Sequence, residues 1–162
     1  MVKIKFSFRI FAKNSGLKNK QRGAVKLYRN KTQHLLCAAR VNGKTARLLI
    51  DTGASNSCLD QALQEKFLLE VKGQPFEAAG ASEGKMQAVF SQASNLHLGR
   101  FSAGKHSFVL LNMVHIIATL HAQGATPIDG ILGADFFFER NVQIDYHKRT
   151  LFFDCYEIVV FH

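Results

Sequence analysis

An ionisable carboxylate set directly after an apolar run is the feature of this chain best suited to chemistry. Leu48-Leu49-Ile50 leads into Asp51-Thr52-Gly53-Ala54-Ser55. A strand that is apolar at three consecutive positions is expected to be buried on both faces. A carboxylate at its end loses much of its water, which is costly unless nearby donors replace it. The residues that follow can supply them. Gly53 lets backbone approach the carboxylate closely and offers its N–H. The Ser55 hydroxyl is a further donor, and Thr52 is small and hydroxylated enough to lock a neighbouring loop. A carboxylate so placed can serve as a general acid or base. The same residue types also suit a turn or helix cap after a strand, so the segment alone leaves both roles open.

A second apolar-apolar-glycine segment, Ile131-Leu132-Gly133, runs into an expected short helix over 134–140. Together the two segments resemble the retropepsin-like aspartic peptidases, the single-domain family that includes retroviral proteases and many bacterial relatives. Asp51-Thr52-Gly53-Ala54-Ser55 looks like the family's active-site loop. Ile131-Leu132-Gly133-Ala134-Asp135-Phe136 looks like its apolar-apolar-glycine strand and the helix after it. Ile128-Asp129-Gly130 and the strand Val142-Gln143-Ile144-Asp145-Tyr146 strengthen the similarity to the bacterial branch. The resemblance covers residues 32–154.

The resemblance implies an all-β, retropepsin-like closed barrel with one or two short helices, forming one half of a pepsin-like two-fold assembly. It makes Asp51 the catalytic aspartate. The chain has no second Asp-Thr/Ser-Gly triplet, so the implied enzyme is a homodimer with two copies of Asp51 facing each other across a two-fold axis. Such carboxylates share one proton, and the pair activates water against a polypeptide substrate without metal or other cofactor. A glycine-bearing hairpin would cover the site, with Gly80-Ala81-Ser82-Glu83-Gly84 as its tip. Ala54 cannot donate the hydrogen bond that a serine or threonine would give the carboxylate. The dyad is therefore expected to be less acidic than in pepsin-like relatives, with activity peaking at weakly acidic to neutral pH. The alternative is an inactive member of the same fold that serves as a dimerisation or peptide-binding module.

Around these segments the chain reads as many short strands. An N-terminal strand over 2–11 alternates apolar and polar residues, and 14–22 reads as a loop or linker. Asn42-Gly43 is the strongest hairpin signal, between strands over 34–40 and 45–50. A short helix or turn is expected over 59–69, a long hairpin over 75–98 and an apolar strand over 108–117. A loop over 121–126, a buried strand over 128–133, a hairpin from Val142 to Phe153 and a last strand over 156–161 complete the reading. Residues 1–31 form a basic N-terminal strand and linker, and residues 32–162 form the peptidase domain.

The charge is also unevenly spread. Residues before Asp51 carry 13 Lys or Arg and no acid, while the rest has a net charge of −4, giving the chain its +9. The arm reads as solvated or as an interface strand. Nucleic acid or an anionic membrane surface is the less favoured partner, because basic-aromatic interleaving is confined to the first strand. Three cysteines with no close-spaced pair point to free thiols, and with no secretory or membrane-spanning run the expected location is cytoplasmic. The seven histidines have no metal-ligand spacing.

Overall fold

The computed structural model describes residues 20–79 and 85–156. Its strands begin with β1 (Lys20–Lys26), β2 (Tyr28–Arg29), β3 (Leu35–Val41), β4 (Lys44–Ile50) and β5 (Cys58–Asp60). A 3₁₀ turn follows at Gln61–Leu63. Then come β6 (Glu70–Ala79), β7 (Lys85–Leu98), β8 (Phe101–Leu111), helix α1 (Val114–Ala122), β9 (Gly130–Leu132), helix α2 (Ala134–Glu139), β10 (Gln143–Asp145) and β11 (Thr150–Tyr156). Asn42 and Gly43 both take left-handed backbone angles, φ 47° and 82°. A two-residue turn needs these to match the right-handed twist of the strands it joins.

Strand order closes the fold. β3, β4, β9, β5, β8 and β7 neighbour one another in turn, and β7 pairs back onto β3, so six strands make a closed barrel with β2 and β6 added outside. Closure removes most of the free edges that an open sheet would expose. The feature that matters for the site is the parallel pairing of β4 with β9, Leu48 to Gly130 and Ile50 to Leu132. The two apolar segments thereby become neighbouring central strands. Both faces of β4 are buried, as its apolar run requires. Leu48 and Ile50 join a core with Leu59, Phe67, Leu96, Phe108, Leu132 and Phe136. Leu49 faces a second core with Leu36, Val109, Met113, Leu120 and Ile128. Burying each of these leucines contributes about 2 kcal/mol.

A second sheet, in the order β1-β11-β10, packs Val25, Leu151 and Phe153 onto the first core. β1 pairs with β11 along its whole length, from Lys20 opposite Tyr156 to Lys26 opposite Thr150. The stretch expected as a loop to Arg22 therefore already belongs to a strand. Two further readings are corrected. β8 begins at Phe101, and the run over 114–117 is not strand but the start of α1, which also takes in His121. The Asn112 Oδ1 accepts the Val114 N–H at 3.0 Å, an Asx turn that leads the chain into the helix. The strand expected over 2–11 and nearly all of the one over 156–161 lie outside the described residues. No helix among the described residues is long and apolar enough to cross a membrane.

Candidate active site

β4 delivers Asp51 at its C-terminal end, and the ladder to β9 runs one residue further. The Asp51 N–H donates to the Leu132 carbonyl at 3.1 Å. The chain then turns back on itself: the Gly53 N–H donates to Asp51 Oδ1 at 2.9 Å, and the Ala54 N–H to the Asp51 carbonyl at 3.3 Å. The carboxylate is half-buried. A side chain on Gly53 would bring a carbon to 3.2 Å from the same oxygen, a tight contact that glycine avoids. Thr52 and Ser55 are exposed. Among the described residues no hydrogen bond joins the Ser55 hydroxyl to Asp51; Ser55 contributes through its backbone.

That backbone is fastened to α2. The Ala134 N–H donates to the Ala54 carbonyl at 2.8 Å, and the Asp135 N–H to the Ser55 carbonyl at 3.3 Å. Gly133 makes this approach feasible, because a Cβ there would lie 2.6 to 2.8 Å from backbone atoms of Asn56 and Ala54. Ile131-Leu132-Gly133 therefore supports the Asp51 loop by contact as well as by pairing.

Two residues whose roles the local sequence did not reveal complete the clamp. The Asp135 carboxylate accepts the Ser57 N–H at 2.9 and 3.0 Å and the Ser57 hydroxyl at 2.7 Å. The Ser57 Oγ in turn accepts the Gly133 N–H at 3.0 Å. Ser57 is wholly buried, so these bonds satisfy groups that would otherwise be orphaned. An acid in the first turn of a helix, after a glycine, is the sequence signal that marks such a clamp. Asp129 is a staple of another kind: it accepts the Arg47 N–H at 2.8 Å and pairs with Lys66 at 2.9 Å.

Behind the clamp lies His106, buried between the ring edges of Phe108 and Phe136. Its nitrogens stand 3.9 Å from Asp135 and Glu139. Burial, reinforced by the nearby Arg140 charge and opposed by Asp135, pushes its pKa down to about 4, so it is neutral at pH 7. Cys37 and Cys58 are poor nucleophiles. Burial pushes Cys37 up to about 12. Burial and then the charges of Asp135 and Asp51 push Cys58 up to about 11. Among the described residues no group of three or more His, Cys, Asp or Glu is placed to hold a metal.

β6 and β7 form a long hairpin, paired out to Ala79 opposite Lys85. Phe76 and Phe90 stack on it with centroids 4.8 Å apart. Phe76, Ala78 and Met86 pack on the same core as Ile131, so the hairpin shares that core with the strand supporting the Asp51 loop. Gly80, Ala81, Ser82, Glu83 and Gly84 lie outside the described residues.

The aspartyl protease family model matches residues 37–136. The chain belongs to the aspartyl protease family. Solved structures place the fold in its retropepsin-like group. A retropepsin-like aspartic protease from Rickettsia conorii is 19% identical, with a TM-score of 0.52, over 84% of this chain and 93% of that one. The retroviral protease-like domain of Ddi1 from Leishmania major is 16% identical, with a TM-score of 0.52, over 75% of this chain and 88% of that one. No curated protein matches the chain by sequence. Within this aspartyl protease chain, the family match spans both β4 with its Asp51 loop and β9 with the start of α2.

Proposed function

We propose that this chain is an aspartic endopeptidase active as a homodimer, each copy supplying one Asp51 carboxylate at the two-fold axis. The observation that carries the reading is the half-exposed Asp51, held by the Gly53 N–H at the end of a central strand, in a loop clamped to α2. One chain contains one Asp-Thr-Gly triplet, and a two-fold interface is the way to bring the same residue face to face with itself. Thr52 fits this arrangement, since its hydroxyl is exposed and has no partner among the described residues.

Two carboxylates about 3 Å apart cannot both ionise readily, the behaviour known for aspartic protease dyads, so they hold one proton jointly. The ionised member takes a proton from a water lying between them. The protonated member donates to the scissile carbonyl oxygen as the water attacks. The tetrahedral intermediate then collapses with proton transfer to the departing amine. The apparent pKa values belong to the pair. The chemistry requires neither metal nor covalent intermediate. Residues 80–84 would form the cover that shields the water from bulk solvent, and the substrate would lie extended beneath it.

The test is a diverse peptide library incubated with wild type and with Asp51→Asn across about pH 4 to 8, since shared-proton carboxylates titrate within or below that range. The reading expects cleavage by wild type alone, with dimer and fold unchanged in the variant. Equal cleavage by both proteins contradicts it.

A further inference from the structure

Arg29, Gln33, Leu35, Tyr146, His147 and Arg149 line a cleft of about 500 Å³. Among the described residues its polar lining holds no carboxylate and consists of two guanidiniums, an imidazole, a carboxamide and a phenol. The cleft lies between the segment around β2 and the β10–β11 turn, which are joined by the Leu27 N–H donating to the Arg149 carbonyl at 2.8 Å. These stretches, residues 26–34 and 145–149, contain a single acid, Asp145. Asp145 is engaged with Lys148, accepting its N–H at 2.7 Å and lying 3.6 Å from its Nζ. Among the described residues neither Arg29 nor Arg149 has an acidic partner. Gln33 and Arg149 hold φ values of 68° and 50°, angles that glycine or asparagine adopt more readily, yet both positions carry long donor side chains.

The cleft is placed where a substrate could reach it. The antiparallel ladder of β3 with β4 ends at Leu36 opposite Leu49, so Leu35, which precedes Leu36, and Asp51, which follows Ile50, leave the paired strands at the same end. The Leu35 wall of the cleft therefore lies at the barrel end where β4 delivers Asp51. We propose that it is a carboxylate-binding subsite that takes an aspartate or glutamate side chain of the polypeptide substrate. Arg29 and Arg149 grip the carboxylate, with Tyr146 and Gln33 as further donors. This specificity rests on the peptidase reading above.

The experiment uses peptide sets identical except for Glu, Gln or Lys at each position flanking the cleaved bond. Cleavage is measured with wild type, Arg149→Lys, Arg149→Glu and the double variant Arg29→Gln/Arg149→Gln. Binding of the same peptides to Asp51→Asn, with and without the arginine changes, is measured by fluorescence anisotropy. A charge-assisted bond in a half-open cleft predicts that wild type favours Glu over Gln by about tenfold in kcat/KM at one position. The preference falls toward unity in the double variant, persists in Arg149→Lys and turns toward Lys in Arg149→Glu. Cleavage without a charge preference, or a preference that survives the double variant, overturns the subsite and leaves the peptidase standing. Should no peptide be cleaved, the peptidase reading fails, and binding to Asp51→Asn still decides the cleft. Tighter Glu binding that depends on the arginines supports it, and equal binding overturns it. Retention of a labelled oligonucleotide in place of the acidic peptides, lost in the same variants, would also overturn it.

Discussion

Replacing Asp135 by alanine removes the carboxylate that holds the Asp51 loop to α2. The cost can be worked from its bonds. The Phe136 N–H, which donates to Asp135 at 2.7 Å, also reaches the Gly133 carbonyl at 3.1 Å and keeps a partner. The Ser57 N–H and hydroxyl lose theirs, and Ser57 is wholly buried. A buried donor left without an acceptor costs about 1–3 kcal/mol, so two cost about 2–6 kcal/mol, a large share of the 5–15 kcal/mol typical of a domain. Asp135→Asn keeps one acceptor oxygen and is predicted to cost about 1–2 kcal/mol. The chain has no tryptophan, so urea unfolding is best followed by far-ultraviolet circular dichroism. A double-mutant cycle with Ser57→Ala should give a coupling of about 1–2 kcal/mol. Additivity within about 0.5 kcal/mol, or an Asp135→Ala midpoint matching wild type, would refute the clamp.

Other outcomes follow from the same geometry. His106 is held near pKa 4 when folded against about 6.5 unfolded. The unfolded chain therefore binds the extra proton between those values. Its contribution is complete above pH 6.5 and is lost as pH falls toward 4, on the order of 3 kcal/mol in all. Unfolding in urea at neutral pH and near pH 4.5 should find wild type losing more stability than His106→Phe; parallel losses would contradict this. Native Cys37 and Cys58, with pKa values pushed to about 12 and 11, should react with iodoacetamide far more slowly than in urea, as read by peptide mapping. Ala54→Ser adds a donor beside Asp51 and should shift the acidic limb of the pH–rate profile downward, while an unmoved limb would discount residue 54. Gly133→Ala places a methyl against the backbone of Asn56 and Ala54 and should cost about 2 kcal/mol or more, measured by thermal unfolding.

Local chemistry made several elements legible in the sequence. Asn42-Gly43 specified its turn through its own backbone preferences, and Leu48-Leu49-Ile50 announced a strand buried on both faces. Features that arise from pairing across the fold stayed hidden. Lys20-Gln21-Arg22-Gly23 has no apolar alternation and is a strand because β11 lies beside it. The run over 114–117 is as apolar as a strand, and the local mark of the change is Asn112, whose side chain accepts the Val114 N–H in a turn just before the helix. At the site, Asp51 and Gly53 meet within one loop and could be read together. Ser57 and Asp135 are 78 positions apart and meet only because β4 and β9 run side by side. The expected Ser55 hydroxyl contact gave way to a backbone role for the same reason: the helix that claims Ser55 comes from the distant segment.

The central claim is that each active site needs two Asp51 carboxylates from two copies of the chain. Wild-type and Asp51→Asn subunits mixed in varying ratio and refolded together test it most directly, with peptide cleavage measured per total protein. If only wild-type pairs are active, cleavage falls as the square of the wild-type fraction, to about a quarter at equal mixing. A linear fall, with about half remaining, would mean that a single chain carries a complete site and would contradict the account.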